Sequence, residues 1–107
     1  MIRFLAALCA LVLVASCAKA VHVSKTPVPV SGSKADGMVR LSYEETPREI
    51  VSPDWTQAAD LALQRCQAWG YSRVDEFAGI TSQCADYNAA YALCMRRIVS
   101  KDYQCLD

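Results

Sequence analysis

Four cysteines carry most of the chemistry available to this chain. Cys66, Cys84, Cys94 and Cys105 are separated by 17, 9 and 10 residues, and two more, Cys9 and Cys17, stand near the N-terminus. Thiols placed this way either hold a metal or pair with one another. Structural zinc sites bring their ligands in close pairs about two to four residues apart, so that each pair grips the ion from a single turn. No such pair occurs here, and there is no C-x-x-C for thiol exchange or C-x-x-C-H for haem. The expectation is two disulfides, with no metal and no cofactor, provided the compartment is oxidising. His22 is the only histidine, and its position in the N-terminal tether ahead of the expected domain removes Ser-His-Asp and Cys-His arrangements. Asp75-Glu76 is the only adjacent acidic pair in the cysteine-rich half and reads as a solvated loop, and no glycine-rich phosphate loop is present. These residues predict no catalytic group, so the chain is not expected to be an enzyme.

The compartment is read from the N-terminus. Met1-Ile2-Arg3 is a small basic start, and Phe4 to Ala15 is an unbroken apolar run of 12 residues. Such a run is too short to anchor stably across a hydrocarbon core ~30 Å thick. It ends in Val14-Ala15-Ser16-Cys17, which resembles the lipobox of bacterial lipoproteins: a branched residue, two small ones, then the cysteine that takes the lipid. The resemblance implies a signal peptide over 1–16, cleavage before Cys17, diacylglycerol on the thiol and an acyl chain such as palmitate on the freed amine. Membrane attachment then runs through the lipid on Cys17. The alternative for the same residues is an ordinary secretory signal cut near Ala18 or Ala20, with Cys17 discarded. Ala18 stands where an aspartate would mark retention at the inner membrane, so the resemblance points to the outer membrane of a Gram-negative cell, facing the periplasm.

Removal of residues 1–16 leaves 91, enough for one small domain. Arg3 leaves with the signal, so the 11 basic and 11 acidic residues of the full chain become 10 and 11. A net charge near −1 offers neither a footprint for nucleic acid nor a polybasic patch for anionic lipid.

The disulfides must be positioned by the elements around them. Residues 17–36 hold the lipidated cysteine and a stretch with Pro27, Pro29 and Ser-Gly-Ser, which reads as a flexible tether. Val21, Val23, Val28 and Val30 offer an edge strand as the alternative. The domain is expected over 37–107. Val39, Leu41 and Tyr43 alternate with Arg40 and Ser42, as in a half-buried strand. Glu44 to Val51 reads as a loop. Ser52 as a cap, Pro53 at the first helical position and Asp54 near the positive dipole end predict a helix over 53–69. Its apolar stripe is Trp55, Ala59, Ala62, Cys66 and Trp69, and Gly70 closes it in the left-handed conformation with Tyr71 folding back. Residues 73–77 suit a short strand, and Gly79 marks a turn. From Tyr91 to Cys105 the periodicity fits both helix and strand, with Ile98-Val99 favouring a strand in the second half. The resulting fold class is α+β: one helix packed on a short antiparallel sheet, stapled by disulfides.

Four cysteines allow three pairings. If residues 94–105 form one strand, its ends lie roughly 35 Å apart, far beyond the ~7 Å between Cα atoms that a disulfide tolerates. That removes Cys94–Cys105 with Cys66–Cys84. Of the two survivors, Cys84–Cys94 with Cys66–Cys105 is favoured by the turn residues Asp86-Tyr87-Asn88. Cys66–Cys94 remains the competing pair.

Asp36-Gly37-Met38-Val39-Arg40-Leu41-Ser42-Tyr43, Arg65-Cys66-Gln67-Ala68-Trp69-Gly70-Tyr71 and Lys101-Asp102-Tyr103-Gln104-Cys105 resemble the YecR-like lipoproteins of Gram-negative bacteria. The resemblance implies an envelope lipoprotein without a defined molecular role and carries over no catalytic residue. A structural or binding accessory of the envelope, with an envelope protein as partner, is the expected function. The alternative is a periplasmic module that senses or inhibits another envelope protein. Tyr71, Tyr87 and Tyr91 are candidates for a binding face, and packing beside the disulfides is the competing use of the aromatic residues.

Overall fold

The computed structural model describes residues 19–77 and 79–107. Cys17 and the signal region lie outside these residues. The elements are β1 Val21–Lys25, β2 Val28–Ser33, β3 Met38–Glu45, β4 Glu49–Pro53, α1 Trp55–Ala68, β5 Arg73–Glu76, β6 Thr81–Asn88 and β7 Leu93–Leu106. β2, β3, β5, β6 and β7 make one antiparallel sheet, and β1 pairs with β4 in parallel as a separate ribbon. α1 packs on one face of the main sheet.

β7 organises the sheet. It has 14 residues, long enough to pair with β3 along one side and with two shorter strands along the other. β6 takes its first half and β5 its second. The ambiguity over residues 91–105 is thus resolved as strand. A helix would have supported neither neighbour, and the β-branched Ile98-Val99 lies where β3 and β6 both pair with β7.

Opposite residues in an antiparallel pair point to the same face. Val39 with Tyr103 and Leu41 with Lys101 therefore share the face covered by α1. The core consists of Val39, Leu41, Ala58, Ala62, Cys66, Tyr103 and Cys105, all buried, with Trp55, Trp69, Tyr71 and Val74 packed around it. Ser42, expected on the solvent side, is buried on the opposite face, where its hydroxyl lies 2.6 Å from that of Ser100. The two hydroxyls satisfy each other, which removes the usual cost of burying them.

Several boundaries differ from the expectation. Most of the segment read as a tether is paired: the edge-strand alternative for Val21, Val23, Val28 and Val30 is what the structure contains, and the start of folded structure moves from Gly37 back to Val21. Pro27, which suggested an open linker, is fully buried between the two strands. Pro29 sits on an edge strand beside a bulge, where a missing N–H does little harm. The expected loop at Glu44–Val51 shrinks to Thr46–Arg48, closed by the Glu49 N–H on the Thr46 carbonyl and the Thr46 N–H on the Glu49 carboxylate.

The helix begins later than Pro53. β4 stays extended through Pro53 because β1 pairs with it to the end, and the Asp54 N–H donates to the Lys25 carbonyl. Asp54, rather than Ser52, is the cap, its carboxylate accepting the Gln57 N–H at 2.9 Å. The buried stripe is centred on Ala58, Ala62 and Cys66, with Trp55, Ala59 and Trp69 at its margins. The C-terminus closes as the sequence predicts. Gly70 has φ +95°, its N–H bonds the Gln67 carbonyl, and the Tyr71 N–H bonds the Cys66 carbonyl.

Candidate functional site

Both disulfides form with the favoured connectivity. Cys66 at the end of α1 joins Cys105 on β7, with Cα atoms 5.4 Å apart, and Cys84 joins Cys94 across the β6–β7 hairpin at 5.9 Å. The first is part of the core, and the second clamps a hairpin with mostly exposed residues. Asp86-Tyr87-Asn88, read as turn residues, all belong to β6, and the reversal itself is made by residues 89–92. Asn88 starts it by accepting the Ala90 N–H, and Ala92 takes a positive φ of +48°.

The three candidate tyrosines do not form one face. Tyr71 is packed at the C-terminal end of β7: its hydroxyl donates to the Lys34 carbonyl, and its ring crowds Gly37. Gly37 has φ +66°, and a Cβ there would meet both the Tyr71 ring and the Gln104 amide at 3.1–3.2 Å. Tyr71 therefore locks the β2–β3 turn. Tyr87 and Tyr91 are exposed at the far end of the same strand. Ten residues of β7 separate the level of Gln104 from that of Cys94, or roughly 33 Å. The common face is therefore corrected to a single pair, Tyr87 and Tyr91.

Lys101 is the unexpected charged residue. It sits on the helix-facing side of β7 and is only 8% exposed. Its ammonium lies 4.5 Å from the centre of the Trp55 ring and 3.1 Å from a Glu76 carboxylate oxygen. The stem thus covers the core while the charge emerges between an aromatic face and an acid. Beside it, the Tyr103 hydroxyl is buried with no hydrogen-bond partner among the described residues. Burial first, and the nearby Glu76 charge second, push its pKa above the ordinary phenol range. Asp75 and Glu76 lie on β5, the short strand expected over residues 73–77, and not in a solvated loop; Glu76 is the acid that meets Lys101.

Recognition is better served on the other side of β3. A groove of about 520 Å³ runs beside β2, lined by Val28, Val30, Tyr43 and Ile98, with Ser42 and Glu44 supplying polar atoms. Val28 and Val30 are each more than half exposed. β2 is also the edge of the main sheet, although Pro29 and the bulge after it blunt that edge against strand addition. The groove was not read from the sequence, but the Val28-x-Val30 alternation was the available signal.

A family model for YecR-like lipoproteins matches residues 26–106. The chain belongs to that family. The matched region begins at Thr26 and so includes β2, the element that lines the groove, together with both disulfides. No curated protein matches the chain.

Proposed function

We propose that this lipoprotein is a binding or structural accessory of a Gram-negative envelope, held by lipid on Cys17 at the periplasmic face of the outer membrane, with no enzymatic role. The observation that carries the reading is the groove beside β2. Its lining is mainly apolar, it adjoins an edge strand, and it holds only Glu44 and Lys25 as charged lining residues. A partner segment offering apolar side chains fits it, with the Glu44 and Lys25 side chains setting register at the rim. Membership of a lipoprotein family and the lipobox at Val14-Ala15-Ser16-Cys17 support the anchor.

The test is a photo-reactive side chain at Val30 in living cells. A stable, stoichiometric adduct with one envelope protein, lost on Val28→Asp and absent when the probe is at Asp60, supports the accessory. Adducts that appear only transiently on an enzyme favour the sensor or inhibitor. Cys17→Ser is expected to leave unprocessed precursor, and normal maturation and membrane fractionation of that variant would refute lipidation at Cys17.

A further inference from the structure

The β6–β7 hairpin projects beyond the rest of the sheet. The last β3 partner of β7 is Arg97, opposite Glu45, so residues 93–96 pair with β6 alone. Four residues of strand make an overhang of roughly 13 Å, before the turn is added. From Tyr87 to Met95 the hairpin carries no charge (Tyr-Asn-Ala-Ala-Tyr-Ala-Leu-Cys-Met), and it is bracketed by Asp86 and Arg96. Tyr91 is 77% exposed, Tyr87 61% and Leu93 43%. Reversals in water are ordinarily built from polar and turn-forming residues. A protruding, uncharged tip with two exposed tyrosines is the composition of an interfacial anchor, because the tyrosine ring favours the boundary between apolar and wet surroundings.

The chain enters the fold at this same end. The Val21 N–H donates to the Arg48 carbonyl in the β3–β4 turn, and Val21 pairs with Glu49. Leu93, Cys94 and Arg97 share a surface recess with Thr46 and Pro47 of that turn and with Glu49 at the start of β4. Only residues 18–20 lie between Cys17 and β1, so the leash spans at most about 14 Å. That length matches the hairpin overhang. Exposed Lys19 and Arg48 stand at the point of entry, suitably placed for anionic headgroups.

We propose that the tip of the β6–β7 hairpin docks on the bilayer that holds the lipid of Cys17, seating Tyr87, Tyr91 and Leu93 at the level of the headgroups. This rests on the reading of Cys17 as the lipidated residue. The short leash fixes which end of the domain meets the membrane, and the uncharged tip supplies the contact. The disulfide Cys84–Cys94 keeps the hairpin formed while it is there.

The experiment uses full-length lipidated protein in vesicles of phosphatidylethanolamine and phosphatidylglycerol containing a brominated phosphatidylcholine. Tyr91→Trp and, in the β2–β3 turn at the opposite end, Ala35→Trp are compared with the parent chain, whose Trp55 and Trp69 give the baseline. Docking predicts that the added fluorescence of Tyr91→Trp is quenched at least threefold more than that of Ala35→Trp. Protein that floats with the vesicles and shows equal, weak quenching at both positions overturns the docking and leaves the lipid anchor intact. So does a tip that escapes quenching and is crosslinked by a protein. Protein that neither floats nor carries acyl mass overturns the Cys17 reading, and the docking with it.

Discussion

From Val99 to Cys105, β7 runs beneath α1, with β3 along one side and the start of β6 and then β5 along the other, and its helix-facing residues Val99, Lys101, Tyr103 and Cys105 are all buried. From Leu93 to Arg97 the same strand alternates in much the same way, yet Leu93 and Met95 stand exposed. Each half ends in a disulfide. What separates them is whether anything covers the sheet, because α1 reaches only as far as Trp55, near Tyr43 and Lys101. An apolar alternation shows that a strand has two faces. It does not show that either face is buried.

The comparison breaks first at the buried disulfide. Replacing Cys66 and Cys105 together with Ala releases a loop with a sequence separation of 39, for which chain entropy predicts about 4 kcal/mol of lost stability. That is comparable to the whole stability of a domain this small. Circular dichroism of the double variant should show a largely unfolded chain, and a cooperative transition with an unchanged midpoint would refute the assignment of this bond to the core. Next comes Trp69→Ala. The ring is partly exposed but lies against Gly32, where a Cβ would come within 2.8 Å of it. Its loss should cost about 3 kcal/mol in urea unfolding. Asp60→Ala, on the exposed side of α1, should stay within about 0.5 kcal/mol.

The exposed disulfide should respond differently. Chain entropy alone assigns roughly 3 kcal/mol to the Cys84–Cys94 loop, but an overhanging hairpin can open without unfolding the body. The pair Cys84→Ala, Cys94→Ala should therefore shift global unfolding by about 1 kcal/mol or less, while amide exchange over residues 86–95 accelerates at least tenfold. A large global loss with no local change would mean that the hairpin belongs to the same cooperative unit as the core.

A small, pH-dependent effect is expected on the sheet face away from α1, where Arg40 grips Asp102 with bonds of 2.7 and 3.0 Å. The hydrogen bonds from Arg40, and secondarily its charge, hold the Asp102 pKa below the usual carboxylate range. A folded-state pKa that is depressed contributes stability above the unfolded value near ~4, and that contribution disappears as the pH falls through the folded value. Both side chains are partly solvated, so Arg40→Ala should cost no more than about 1 kcal/mol at pH 7. The difference from the parent should vanish in acid once Asp102 is protonated in both. A difference that grows in acid would show that Arg40 acts through something other than this pair.

The local chemistry of the sequence determined a good deal by itself. The glycine closure of α1 was legible because Gly70 follows the last turn and only glycine takes that conformation cheaply. The apolar helix stripe came from its spacing, and taking residues 94–105 as a strand that keeps its ends apart removed one of the three disulfide pairings and left the observed one against a single competitor. The lipobox pattern and the motifs shared with the YecR-like lipoproteins were present in short stretches of sequence. Other features depended on partners distant in the chain. Residues 21–33 looked like a linker because Pro27 and Pro29 are weak strand formers, and they fold because β4 and β3 supply their hydrogen bonds. Ser42 looked solvent-facing until Ser100, 58 residues away, satisfied its hydroxyl. Lys101 is a charged residue among the apolar ones on the helix-facing side of β7, and it covers that face because Trp55 and Glu76 receive its charge. Spacing along the chain specifies which side chains share a face; what lies against that face is decided by tertiary packing, and with it which tyrosine locks a turn and which reaches the surface.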